Sequence, residues 1–305
     1  MNDAVNTRPI GVIGLGSMGG GMALSLLRAG LTVHGCDLNP DNLKAFTDAG
    51  GIAAASPAAL AAACDVVFIV VVNAAQTEAV LFGESGAVET MTSESVVVSC
   101  ATLGAEFAEK LGARLAEHQV LMLDAPISGG KAKAHSGELT VMSSGPERAY
   151  EKAEAALDAI SETVFRLGDR AGKGSAMKTV NQLLAGVHIA AAMEAMALGI
   201  KSGLDPEVVY EVVCNSAGRS WMFENRVPRV LSGDYTPTSM VNIFVKDLGI
   251  VLDAGKGLPM PLPVAAAAHQ QFIAASGMGE GANDDSSVIK VYQATSGIDL
   301  PQKKD

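Results

Sequence analysis

The stretch that decides the fold is Ile10-Gly11-Val12-Ile13-Gly14-Leu15-Gly16-Ser17-Met18-Gly19. Ile10–Ile13 is a short apolar run of the kind a buried strand presents, and Ser17–Ala29 carries a helical pattern stopped by Gly30. Between them lies G-x-G-x-x-G, a weak signal alone and a strong one where it follows a strand and opens a helix. Gly14 permits the tight turn, Gly16 lets the backbone approach a pyrophosphate, and Gly19 lets helix pack on strand. Leu15, Ser17 and Met18 belong to the same loop, and the N–H groups and dipole of the helix start favour a phosphate there. The competing reading, a glycine-rich turn with no ligand, does not explain the strand-and-helix context.

Working outward, Leu31–Cys36 reads as the second strand, and Asp37 follows it, 18 residues beyond Gly19. A carboxylate at that point accepts hydrogen bonds from the adenosine ribose hydroxyls and repels a 2′-phosphate, which selects NAD over NADP. No arginine follows Asp37 directly, so the usual NADP signal is missing. A capping role for Asp37 in the turn Asp37-Leu38-Asn39-Pro40 is the alternative, and the two are compatible. NAD is therefore the expected cofactor.

The pattern continues with a helix from about Pro40, a weak strand around Ile52 and an alanine-rich helix from Ser56. Val66–Val72 is seven apolar residues without alternation, as in a central parallel strand covered on both faces. Val96–Ser99, Val120–Asp124, Leu139–Ser143 and Thr163–Arg166 read as further strands. After Gly168 strand signals almost vanish: 175–202, Pro206–Asn215, Trp221–Leu231, Asn242–Ala254 and Pro263–Ala275 all suggest helices. The expected fold is an α/β Rossmann-type N-terminal domain over residues 1–169, followed by an all-α C-terminal domain over 170–305 for substrate and oligomerisation.

Composition limits the partners. The chain has 305 residues, 49% hydrophobic and 18% charged, with a formal net charge of −11. Such a chain is repelled by nucleic acid and anionic lipid unless it carries a basic stripe, and Lys303–Lys304 is too short to be one. Met1–Pro9 has no apolar core of leader type, and no run of about 18 apolar residues offers a membrane span. Cys36, Cys64, Cys100 and Cys214 are scattered without C-x-x-C spacing, which argues against zinc and disulfides. No catalytic metal is expected. The reading is of a cytoplasmic protein, and its apolar helical half predicts a homo-oligomer, a homodimer or homotetramer.

On four motifs the chain resembles the β-hydroxyacid dehydrogenase family, which includes 3-hydroxyisobutyrate, tartronate semialdehyde and 6-phosphogluconate dehydrogenases. They are Gly14–Gly19 with its Ser-Met pair, Asp124-Ala125-Pro126-Ile127-Ser128-Gly129-Gly130, Gly172-Lys173-Gly174-Ser175-Ala176-Met177-Lys178-Thr179-Val180-Asn181, and Val245-Lys246-Asp247-Leu248. The resemblance spans nearly the whole chain. It implies substrate binding at Ser128, Gly129 and Gly130, a catalytic Lys178 with Asn181 beside it, and cofactor contacts at Val72, Asn73, Thr102 and Lys246. Two departures stand out. The family often has Asn-Asn where this chain has Asn181-Gln182, and Asp-x-Ser-Thr where it has Ser99-Cys100-Ala101-Thr102, so only Thr102 is carried over.

The residues themselves support that chemistry. Oxidising an alcohol requires a hydride acceptor, which NAD supplies, and a base for the hydroxyl proton. Residues 178, 181, 182 and 185 share one face at the polar start of an otherwise apolar helix. Desolvation there should bring Lys178 toward the roughly 7–8 that a general base at neutral pH needs. The plainer alternative is a solvated surface lysine. The Ser128–Gly130 loop offers a hydroxyl and backbone N–H groups suited to a carboxylate, though a plain turn fits the same residues. For Lys246 the plainer option is a salt bridge with Asp247, and His188 reads as a packed core or interface residue.

Within the family the chain is most similar to members acting on L-threonate, which implies a four-carbon sugar acid oxidised to its 2-oxo acid. The rival readings are a 3-hydroxyisobutyrate or a tartronate semialdehyde enzyme; Asn181, Gln182, Arg219 and Asn225 favour a polyol over an isobutyrate methyl pocket. Lys178 argues against the imine reductases, where another residue typically replaces the lysine. A non-catalytic dinucleotide sensor would keep Gly14, Gly16, Gly19 and Asp37 without needing Lys178.

Overall fold

The structure is a computed structural model that describes residues 8–303. Most of the polar start that sequence reads as lacking a leader falls outside the described residues, as does Lys304. The chain divides into two compact units, one ending at Lys178 and one starting at Thr179.

The first unit alternates strand and helix. Its elements are β1 (Ile10–Ile13), α1 (Ser17–Arg28), β2 (Val33–Cys36), α2 (Pro40–Asp48), β3 (Ile52–Ala53), α3 (Pro57–Ala63), β4 (Val66–Ile69) and α4 (Ala74–Phe82). There follow β5 (Val96–Ser99), α5 (Ala105–Glu117), β6 (Leu121–Asp124), β7 (Ile127–Ser128), α6 (Gly130–Ser136), β8 (Leu139–Ser143), α7 (Glu147–Ile160) and β9 (Ser161–Arg166). Six strands form one parallel sheet in the order β3-β2-β1-β4-β5-β6. The continuous apolar runs are explained by burial on both faces: every residue of β1, β4 and β5 is buried.

The register fixes where function can sit. Cys36 pairs with Ile13, Ile13 with Ile69, Ile69 with Ser99 and Ser99 with Asp124. Five strands thus end level at one edge, and the direction of winding reverses between β1 and β4, which is the crevice where open α/β sheets bind ligands. The segments following those strands carry Gly14–Gly19, Asp37, Val72–Asn73, Thr102 and Ile127–Gly130.

Sequence did not foresee a second sheet. β7, only two residues long, pairs antiparallel with β8, and β8 pairs parallel with β9. A two-residue strand is too short to show a period, and β7 directly follows the turn after β6. β4 is also shorter than the apolar run Val66–Val72, because the chain leaves the sheet after Ile69 to build the crevice rim.

The second unit is helical. α8 (Lys173–Lys201) runs into it and is followed by α9 (Pro206–Cys214), α10 (Trp221–Ser232), α11 (Val241–Gly257), α12 (Pro263–Ala275) and α13 (Ile289–Ser296). By length and composition α8 could cross a membrane, which corrects the expectation that no segment is apolar enough. Half of its most apolar window is buried inside the protein. Ile189, Met193 and Met196 are fully buried with Val227, Phe244, Leu248 and Phe272, so the apolarity serves a helical core. α13 was not anticipated; at eight residues it is too short to establish a helical period.

A charge network is sealed into that core. Arg226 of α10 grips Asp285 through Nε (2.6 Å) and a terminal nitrogen (3.1 Å), the bidentate geometry that suits guanidinium. Asp285 is fully buried, and that burial pushes its carboxyl up against the opposing pull of Arg226. Removing one partner of a buried pair leaves the other charge uncompensated, at about 3–5 kcal/mol. Arg226→Met should therefore lower the midpoint of thermal unfolding by about 10 °C. A midpoint within 2–3 °C of the unaltered chain (about 1 kcal/mol) would show that the pair contributes little.

Candidate active site

The glycine loop is built as its sequence demands. Gly14 has φ +91°, and its N–H donates to the Cys36 carbonyl at 2.9 Å. A Cβ on Gly19 would lie 1.8 Å from the Gly14 oxygen, so α1 can approach β1 only with glycine there. A Cβ on Gly16 would meet nothing within 4 Å, which leaves open space on that side of the turn. Gly16 caps α1 without a side-chain acceptor, so the first-turn N–H groups, those of Ser17 and Met18 among them, are not satisfied by a cap.

Asp37 completes this corner. One carboxylate oxygen accepts the Leu15 N–H at 2.5 Å, and the other accepts the Asn39 N–H at 2.7 Å. The turn-capping alternative is thus realised, and the same carboxylate braces the glycine loop. A carboxylate has about four acceptor positions, so two remain for ribose hydroxyls. Unsatisfied helix-start donors, open space at Gly16 and an acidic acceptor at the end of β2 fit a nicotinamide dinucleotide.

Beyond β4, Asn73 caps α4 by accepting the Gln76 N–H at 2.9 Å, while the Val72 N–H donates to Gln76 Oε1 at 2.8 Å. Both residues thus shape the rim, and the exposed Val72 side chain is the part left to meet a ligand. Thr102 lies just past β5, partly buried.

The strongest construction lies after β6. Asp124 is completely buried, and three donors from the start of α8 converge on it. Oδ2 accepts the N–H groups of Gly172 (2.9 Å) and Ser175 (2.8 Å), and Oδ1 accepts the Ser175 hydroxyl (2.7 Å). Burial pushes the Asp124 carboxyl up, and these hydrogen bonds work in the opposite direction. Ser144 Oγ accepts the Gly174 N–H at 3.0 Å. A Cβ on Gly174 would come within 2.4 Å of the Asp124 carbonyl oxygen, so only glycine fits. Sequence reading placed Asp124 in a motif without seeing this role; an acid ending a strand gives no hint of which distant helix it caps.

One turn further along α8 stands Lys178, 6% exposed. Lysine is almost never this buried, which rules out the solvated surface alternative. Its Nζ donates to the Ile127 carbonyl at 2.8 Å. Ile127 immediately precedes Ser128-Gly129-Gly130, so the structure brings the lysine to the loop that sequence assigns to substrate. Gly129 (φ +136°) and Gly130 (φ +72°) adopt backbone conformations that favour glycine, and nothing would contact a Cβ on Gly130.

In the helical unit, Asn181 and Gln182 follow on α8. Asn181 Nδ2 donates to Gln182 Oε1 at 2.9 Å, and Gln182 Nε2 donates to Asp247 Oδ2 at 2.5 Å. Lys246 Nζ lies 2.5 Å from Asp247 Oδ1, so the salt bridge weighed as its plainer role is present. Arg219 is exposed and Asn225 accepts from Arg226. His188 is half-buried on α8. Among the described residues, no group of His, Cys, Asp or Glu could hold a metal ion.

Fold and site are those of a dinucleotide-dependent dehydrogenase. Residues 9–168 match the model of the NAD-binding domain of 6-phosphogluconate dehydrogenase, and residues 172–292 match that of the NAD-binding domain of NADP-dependent 3-hydroxyisobutyrate dehydrogenase. The chain is 60% identical to an L-threonate dehydrogenase from Cupriavidus necator, over 97% of this chain and 99% of that one. It is 50% identical to an L-threonate dehydrogenase from Haemophilus influenzae, over 96% and 97% of the two chains. A crystal structure of a 3-hydroxyisobutyrate dehydrogenase from Salmonella typhimurium superposes with a TM-score of 0.89 at 49% identity, covering 93% of this chain and 99% of that one. The chain belongs to the β-hydroxyacid dehydrogenase family, of the 3-hydroxyisobutyrate dehydrogenase type. It is an NAD-dependent enzyme that oxidises a small hydroxycarboxylic acid.

The Asp124 anchor makes a graded prediction. Asp124→Ala strands two buried N–H groups and a hydroxyl, at about 1–3 kcal/mol each where no water replaces the acceptor. Asp124→Asn keeps one acceptor for the N–H groups, and the Ser175 hydroxyl can turn to accept from the amide. Denaturant titration should show a loss of about 3 kcal/mol or more for alanine and about half that for asparagine. Equal losses would contradict the geometry.

Proposed function

We propose that the enzyme oxidises L-threonate to its 2-oxo acid, 2-oxo-tetronate, with Lys178 as general acid/base. The observation that carries this reading is the buried Lys178 amine set against the Ile127 carbonyl, at the threshold of the Ser128–Gly130 loop. NAD, when bound, supplies the hydride acceptor. Ser128 and the backbone N–H groups of Gly129 and Gly130 hold the substrate carboxylate. Lys178 Nζ, oriented by Ile127, takes the proton of the hydroxyl being oxidised, and returns it in the reverse direction. To take that proton the amine must be in its neutral form. Asn181, one turn along α8, orients the substrate by hydrogen bonding. Asp37 excludes a 2′-phosphate and so favours NAD, while Lys246, Thr102, Val72 and Asn73 border the cofactor.

In this reading residues 1–169 form the dinucleotide-binding domain, which also supplies the Ser128–Gly130 loop, and residues 170–305 form the helical domain for substrate and assembly. The enzyme is a cytoplasmic homodimer or homotetramer. Exposed apolar side chains on the helices, Val180, Leu184 and Leu198 of α8 and Trp221 of α10, support association, and four unpaired cysteines fit a reducing compartment. The name of the Salmonella structure favours a second substrate, 3-hydroxyisobutyrate.

Reduction of NAD and NADP should be followed in parallel with L-threonate, 3-hydroxyisobutyrate and D-threonate, with tartronate semialdehyde tested in reverse. L-Threonate with NAD should give the highest kcat/KM, by about 100-fold or more over 3-hydroxyisobutyrate, since a site built for hydroxyls rejects an analogue lacking them. A preference for 3-hydroxyisobutyrate or tartronate semialdehyde would keep the chemistry and replace the substrate. Equal use of NADP would remove the role given to Asp37.

A further inference from the structure

The hydrogen-bonded chain in the helical unit determines which end of the Asn181 amide is left to meet a ligand. An isolated amide can present either its oxygen or its NH2 group, so its polarity must be set from outside. Here Asp247 sets it. Asp247 is 2% exposed and carries Lys246 Nζ on Oδ1 at 2.5 Å. An ionised carboxylate only accepts, so the Gln182 group 2.5 Å from Oδ2 must be its NH2. Gln182 Oε1 is then turned to Asn181, which meets it with Nδ2 at 2.9 Å. One N–H of Asn181 is thereby committed to Gln182, which fixes how the amide is turned and leaves Oδ1 as its acceptor end.

We propose that Asp247, acting through Gln182, makes Asn181 an acceptor for the substrate hydroxyl neighbouring the one that is oxidised. Gln182 and Asp247 are then positioning residues that set specificity for a polyol acid; this rests on the reading in which Asn181 contacts the hydroxy acid. The opposite polarity would present NH2, which suits a carbonyl or carboxylate oxygen and offers nothing to a hydroxyl proton. Length matters as well as polarity. Gln182 spans from Asp247 to Asn181, and an asparagine, one methylene shorter, would lose one of its two partners. Gln182 is itself 8% exposed, so an unpaired amide end there would be costly.

The test is a ratio measured on one protein at a time: kcat/KM for L-threonate over that for its 3-deoxy analogue, 2,4-dihydroxybutanoate. The unaltered enzyme should prefer L-threonate. Gln182→Met keeps length and removes both polar ends. It should lower the ratio about tenfold, mainly through L-threonate, in keeping with the loss of one hydrogen bond. Asp247→Asn, whose amide can turn either end to Gln182, should lower it in the same direction and serves if the methionine variant does not fold. Folding is checked by thermal unfolding. A merely structural role would depress both substrates alike, and an unchanged ratio in a folded variant overturns the relay while leaving the threonate reading intact. An unaltered enzyme without activity on L-threonate overturns that reading and the relay with it.

Discussion

The buried carboxylate of Asp124 is the interaction on which the site depends. It stands at the end of β6 and collects two N–H groups and a hydroxyl from the start of α8. A helix start needs acceptors for its first N–H groups, and here they come from a strand about 50 residues earlier in the chain rather than from a local cap. The consequence is positional. Lys178 stands three residues beyond Ser175, so the bond that caps the helix also sets where its amine can reach. The same strand end leads within three residues to Ile127, whose carbonyl receives that amine. One carboxylate therefore aligns the lysine and its acceptor together.

The dinucleotide corner follows the same logic of strand ends. The level register of Cys36, Ile13, Ile69, Ser99 and Asp124 places successive loops side by side. Asp37 then locks the loop after β1 to the loop after β2 by accepting the Leu15 N–H. Positions that sterics reserve for glycine, Gly14, Gly19 and Gly174, recur where backbone must pass backbone, and Gly16 faces open space. Pre-organisation of this kind is what lets a polar site act on a small, strongly solvated substrate.

Much of this is legible in the sequence because it is local. The loop from Ile10 to Gly19 announces strand, turn and helix within ten residues, and the run Val66–Ile69 declares its burial by lacking alternation. Long α8 shows as one unbroken run of helix-favouring residues, and Lys178 is the lysine inside it, with Lys173 and Lys201 at its two ends. What sequence conceals is non-local. The partners of Asp124 lie far along the chain, and β7 is too short to show a period. The route from Asn181 through Gln182 to Asp247 and Lys246 joins residues 65 positions apart, which no spacing rule suggests. The burial of Lys178 was expected from its motif and becomes a physical fact only with the structure.

In the proposed reaction Lys178 moves the substrate proton and does not hold the fold or the cofactor. Lys178→Met tests it most directly, with NAD affinity measured by calorimetry on the same preparation used for NAD reduction with L-threonate. The Kd for NAD should stay within about threefold of the unaltered enzyme, and turnover should fall about 10²–10⁴-fold, the range expected for loss of a general acid/base. Turnover within tenfold of the unaltered enzyme, with NAD still bound, would contradict it.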